Sequence, residues 1–90
     1  MADSSRTTHI LAFDLGAESG RALLGKLEGG RLSIHEVRRF PNTPLPLAGH
    51  IHWNIYRLLD EMKVAMRETA AAIGARPASV GVDTWGIDFG

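Results

Sequence analysis

Ninety residues make one small domain at most, and a chain of this size buries only about two-thirds of the surface it exposes when unfolded. Ten basic and ten acidic side chains cancel to a formal charge of zero, so the charge balance favours neither nucleic acid nor an anionic membrane as a partner. With no cysteine, a disulfide framework and a thiolate metal site are both excluded.

Met1 to Thr8 read as a polar, flexible start without the apolar core of a secretory signal. No later apolar run is long enough to span a bilayer, and a cytoplasmic setting is expected by default. The folded region is expected over residues 9–90.

Ile10 to Asp14 form a first strand that delivers an acid to its end. The segment Asp14-Leu15-Gly16-Ala17-Glu18-Ser19-Gly20-Arg21 then reads as a small-residue hairpin whose backbone amides can close on a phosphate. Gly16, Ala17 and Gly20 permit close approach, and glycine also permits positive φ in the turn. Ser19 adds a hydroxyl, and Arg21 a charged fork if it faces the ligand. Asp14 can hold Mg²⁺ directly or through water. The segment is neither a Walker loop nor the G-x-G-x-x-G of dinucleotide folds. A plain tight hairpin with a capping acid would use the same residues.

Arg21 to Glu28 form the second strand, Gly29-Gly30 a turn, and Arg31 to Phe40 the third strand. Leu32 and Ile34 share one parity and Val37 the other, which predicts a bulge near His35 or Glu36. Pro41, Pro44, Pro46 and Gly49 predict an irregular loop through His52, where proline forbids regular pairing. His50 and His52 could ligate a metal but lack a third ligand at matching spacing. Arg38-Arg39 read as a solvated basic pair.

From Ile55 the period becomes helical. Ile55, Leu58, Leu59, Met62, Ala65, Met66, Thr69, Ala70 and Ile73 fall on one face, and Arg57, Asp60, Glu61, Lys63, Arg67 and Glu68 largely on the other. Asn54 is the expected N-cap, and Gly74 with Pro77 ends the helix. Ser79 to Asp83 form a last buried strand, again ending in an acid. The loop beyond it, Thr84-Trp85-Gly86-Ile87-Asp88, offers hydroxyl, indole and carboxylate groups beside glycine, a mixture that suits a polyhydroxylated ligand. A Trp buried in the core with Asp88 in a turn is the plainer alternative. The element order is β-β-β-α-β, an α/β mixed sheet with one covering helix.

The order DLGAESGR, then WN-I-Y-R-L-L, then GVDTWGIDFG resembles the rhamnulokinases of the FGGY carbohydrate-kinase family, from about His9 to Gly90. That resemblance implies the start of a ribonuclease H-like (actin-like ATPase) domain, with residues 9–90 the N-terminal part of the first kinase domain. It implies ATP and Mg²⁺ as cofactors and a small-molecule sugar, L-rhamnulose, converted to L-rhamnulose 1-phosphate. Ala17, Glu18, Ser19, Gly20 and Arg21 match the family's ATP-binding hairpin, Asp14 the acid near Mg²⁺, and Gly86 a sugar contact flanked by Trp85 and Asp88. A carboxylate such as Glu18 beside phosphates must point outward. Asn54 stands where the family usually has an acid. The family's general-base Asp lies beyond Gly90. A kinase of another ketose or polyol and a non-catalytic sugar-sensing relative share these motifs. A two-metal nuclease of the same broad fold would use Asp14 and Asp83.

Overall fold

The computed structural model describes residues 6–86. Its elements run β1 (Thr7–Leu15), β2 (Ser19–Glu28), β3 (Arg31–Pro41), β4 (Leu45–Leu47), β5 (His50–His52), α1 (Ile55–Ile73) and β6 (Ser79–Thr84). The main sheet has the order β3-β2-β1-β6, with β1, β2 and β3 antiparallel and β6 parallel to β1. A parallel neighbour needs a crossover, and α1 supplies it. The main-sheet elements therefore follow the β-β-β-α-β order read from the sequence. β1 begins three residues earlier than expected, because Thr7, Thr8 and His9 pair with Glu28, Leu27 and Lys26.

Alternation along β1 divides the sheet's two faces. Leu11, Phe13 and Leu15 are buried beneath α1, and their register partners Leu24, Ala22 and Gly20 share that face. Ile10, Ala12 and Asp14 lie on the opposite, uncovered face. Fully burying each of Leu11, Phe13 and Phe40 contributes about 1.5–3 kcal/mol, less what side-chain ordering costs.

The bulge sits one residue beyond the predicted place. Ala22 faces Arg38 while Leu23 faces Glu36, so Val37 is the extra residue. Its insertion switches the parity of β3: Leu32 and Ile34 lie on the uncovered face, whereas Arg38 and Phe40 reach the helix side. Val37 itself packs against the core.

The segment expected as an irregular loop contains a β4–β5 hairpin, with Pro46 paired opposite Ile51. Its two-residue turn, Ala48-Gly49, has positive φ at both positions, 53° and 79°, the signature of a type I′ turn. Such a turn makes Leu47 and His50 the hydrogen-bonded pair, and Pro46 falls at the next, non-hydrogen-bonded pair. The missing proline N–H therefore costs this ladder nothing, which is why the rule against paired proline fails here.

α1 starts as expected, with the Asn54 side chain accepting from Arg57 N–H at 3.1 Å. It ends at Gly74, whose left-handed φ of 70° lets its N–H reach Ala70 O at 2.9 Å. Its buried stripe is Leu58, Glu61, Ala65 and Thr69, with Met62 and Met66 half-buried; Ile55 and Leu59, expected inside, are exposed. Glu61, expected on the polar face, is drawn inward by Arg38. The guanidinium donates to Glu61 at 3.1 Å and to Glu68 at 2.9 Å, clamping α1 to β3. The hydrogen bond to Glu61 is the largest influence and holds the Arg38 pKa above its ordinary value; desolvation comes next and opposes it, and the charges of Glu61 and Glu68 add smaller upward effects.

On the uncovered face Ile10, Ala12, Leu23, Gly25, Leu32 and Ile34 line a cavity of about 180 Å³. Val80 and Val82 lie by register on the helix side, beside Leu11 and Phe13. α1 spans β1 to β3 and leaves both valines about half exposed.

Candidate functional site

Parallel pairing of β1 with β6 brings their two terminal acids together. Asp14 is in register with Asp83, and on its other side with Arg21, which is in turn opposite Arg39. One row of charge therefore crosses the uncovered face where β1 and β6 end. Within it Arg21 Nη2 donates to Asp14 Oδ2, and Arg39 Nε donates to Glu36 Oε1 at 2.8 Å. Arg21 and Asp14 both remain about 40% exposed, so water screens their pairing, and Arg21 Nε is buried with no partner among the described residues. No group of three His, Cys, Asp or Glu side chains suited to a metal occurs among the described residues. His50 and His52 instead stack edge to face, 6.3 Å apart.

The hairpin between β1 and β2 is built from small residues for reasons specific to each. Gly16 N–H donates to Ser19 O at 2.9 Å, and a Cβ on Gly16 would stand 2.9 Å from that same oxygen. A Cβ on Gly20 would lie 2.3 Å from Phe40 Cε2. Gly20 is thus required by the buried Phe40 ring beneath it. Positive φ, anticipated for this turn, occurs instead at Gly29, Gly30, Gly49 and Gly74 among the glycines. Ala17 and Glu18 are exposed at the tip. Among the described residues their amides donate to no backbone carbonyl, leaving two donors available at the hairpin tip.

Asn42, which sequence reasoning passed over, holds this hairpin from behind. It is 4% exposed; its N–H donates to Glu18 O at 2.9 Å and its side-chain Nδ2 to Gly16 O at 2.9 Å. The one available signal was an Asn flanked closely by Pro41 and Pro44, which composition alone reads as loop.

At the same end of the sheet, Trp85 follows β6. It is half-buried against the core and packs on Trp53, with ring centroids 4.6 Å apart and planes inclined by 52°. Its indole Nε1 is buried and has no partner among the described residues. Gly86 is exposed, with nothing within 4 Å of where a Cβ would project. Asp88 lies outside the described residues. Trp53 also lines a second cavity of about 170 Å³ with Pro44, Ile51 and His52. The hairpin, the two acids and the Trp85 loop therefore converge where β1 and β6 end, the edge at which α/β sheets bind ligands.

Comparison with known proteins gives a consistent picture. The rhamnulokinase of Bacteroides thetaiotaomicron is 42% identical over 81 residues, which is 90% of this chain and 16% of that protein. That of Oceanobacillus iheyensis is 40% identical over 79 residues, 88% of this chain and 17% of that protein. The Bacillus subtilis rhamnulokinase is 37% identical over 78 residues, covering 87% and 16% respectively. The chain resembles a segment of a rhamnulokinase. It spans 16–17% of the length of these rhamnulokinase relatives. No family model matches it. Among solved structures, the Aquifex aeolicus member of the Ppx/GppA protein family superposes with a TM-score of 0.62 at 18% identity, over 88% of this chain and 26% of that one. A second Aquifex aeolicus PPX-GPPA structure gives 0.58 at 16% identity, over 88% and 27%. The rhamnulokinase-like chain therefore has the α/β, actin-like ATPase architecture of the ribonuclease H-like class. Amides at Ala17 and Glu18 that meet no backbone carbonyl, and a half-exposed Asp14 carboxylate whose Oδ2 is held by Arg21, are groups chemically suited to phosphate oxygens and a divalent cation.

Proposed function

We propose that this chain is part of an ATP-dependent sugar kinase that phosphorylates L-rhamnulose to L-rhamnulose 1-phosphate. The reading is carried by one juxtaposition: an amide hairpin and a strand-end acid stand beside an aromatic, glycine-containing loop, in a chain 42% identical to a rhamnulokinase over 90% of its length. Phosphoryl transfer depends mainly on positioning and charge neutralisation. Ala17, Glu18 and Ser19 supply backbone donors to the phosphates, Gly20 keeps the hairpin closed on Phe40, and Arg21 adds positive charge. Asp14 holds Mg²⁺, which when bound neutralises phosphate charge. Gly86 contacts the sugar, with Trp85 and Asp88 beside it. The carboxylate that takes the proton of the attacking hydroxyl belongs to a part of the protein beyond Gly90.

The partners are accordingly ATP and a sugar, and the setting cytoplasmic. No helix among the described residues is long and apolar enough to cross a membrane. The decisive experiment is ATP-dependent ADP release by the full-length protein, comparing L-rhamnulose with L-fuculose, D-xylulose and glycerol. Preference for L-rhamnulose supports the reading. Activity on another sugar retains the kinase and moves the specificity, and no activity with any of them overturns it.

A further inference from the structure

We propose that Asn42 is a positioning residue that aims the amides of the 16–19 hairpin at the phosphates of ATP. The proposal rests on the kinase reading above and assigns a role to a residue outside the hairpin itself.

Asn42 follows directly on β3, whose Pro41 pairs with Ser19 and whose Phe40 lies under Gly20. From that buried place it ties two hairpin carbonyls, Gly16 O through Nδ2 and Glu18 O through its own N–H, each at 2.9 Å. All peptide bonds among the described residues are trans. In a planar trans peptide the C=O and the following N–H point in opposite directions. Pulling Gly16 O toward Asn42 therefore turns Ala17 N–H away from it, and pulling Glu18 O does the same for Ser19 N–H. Asn42 thus holds the carbonyls, which would repel phosphate, at the back and turns the donors to the front. An amide side chain is required for the first tie. Aspartate would set a carboxylate oxygen against the Gly16 carbonyl, and alanine would remove the side-chain donor from that part-buried carbonyl.

The test uses the full-length protein with Asn42→Asp and Asn42→Ala, measuring ATP binding by calorimetry and the KM for ATP and for L-rhamnulose separately. In Asn42→Asp, ATP affinity should fall and KM for ATP rise by about tenfold or more, while KM for sugar stays within about twofold. Asn42→Ala keeps the backbone tie to Glu18 and should show a smaller loss in the same direction; it also serves if the aspartate variant does not fold. A folded variant with unchanged ATP affinity, or with both substrates weakened equally, overturns the proposal and leaves Asn42 a structural staple. A wild-type protein that binds no ATP overturns the kinase reading together with it.

Discussion

Replacing Gly20 by alanine should open the β1–β2–β3 meander, because the new methyl would stand 2.3 Å from Phe40 Cε2 and 2.5 Å from Cζ. Carbon atoms pack at about 3.5 Å or more, so the ring must retreat by about 1.2 Å. Phe40 is 1% exposed, enclosed in the core with Leu11, Phe13 and Ala22. Overpacking of this kind costs about 1–3 kcal/mol, and two clashing ring atoms argue for the upper half of that range, about 2 kcal/mol or more. Native-state hydrogen exchange of the full-length protein, read on peptides covering residues 16–42, measures this opening without requiring the whole molecule to unfold in one step. At about 2 kcal/mol, amide exchange through that opening should accelerate roughly 30-fold. Gly81→Ala is the control, since a Cβ there meets nothing within 4 Å. Adding Phe40→Leu should recover part of the loss, a positive coupling expected only if the ring is the obstacle. Unchanged exchange in Gly20→Ala, or no recovery in the double variant, would refute the steric reasoning.

Arg38→Met should loosen α1 from the sheet more than Glu68→Gln does, because it strands the buried Glu61 carboxylate; exchange protection of residues 55–73 reports the order. The raised Arg38 pKa makes the clamp's stabilisation complete below the unfolded value and lost only as pH rises through the folded one. Arg38 should therefore add no pH dependence to α1 protection between about pH 6 and 9. Asp14→Ala in the full-length protein should lower kcat by about two orders of magnitude, and a variant within about threefold of wild type would remove Asp14 from the site. Residues 1–90 alone should show no kinase turnover, and the bare Leu32, Ile34, Val80 and Val82 should make that fragment self-associate in sedimentation. A sharp, monomeric, concentration-independent melt would contradict the second expectation.

Where local pattern and tertiary packing agreed, the sequence was readable. The β1 strand, the Gly29-Gly30 turn, the Asn54 cap and the Gly74 stop each rest on signals within a few residues, and each is present in the structure. The misreadings involve partners distant in sequence. Glu61 is buried because Arg38 lies 23 residues earlier on the facing strand, a pairing that helical periodicity cannot register. Gly20 reads as room for close approach, and Phe40, distant in sequence, adds a packing reason for its missing side chain that local pattern does not register. Pro46 suggested an unpaired loop because its tolerance depends on which rung of the ladder it occupies. The candidate site was legible as two motifs, Asp14 to Arg21 and Asp83 to Gly86, whose adjacency follows only from the β1–β6 register. Asn42 was invisible since its importance lies in the carbonyls it holds, 24 and 26 residues before it.

The two halves of this site also differ in when they can exist during synthesis. The hairpin half is complete once Asn42 has emerged, for β1, β2, β3 and their staple are joined by short antiparallel turns. The half that holds Asp83 and Trp85 waits for the whole of α1 to pass and for β6 to find β1 across a crossover, a slower, non-local closure. A nascent chain that stalls between Asn42 and Ser79 would thus already display the formed β1–β2 hairpin on an open sheet edge. Until β6 docks, β1 carries an unpaired edge that a second nascent chain can occupy. The speed of the α1 crossover consequently governs how long each new molecule is exposed to mispairing.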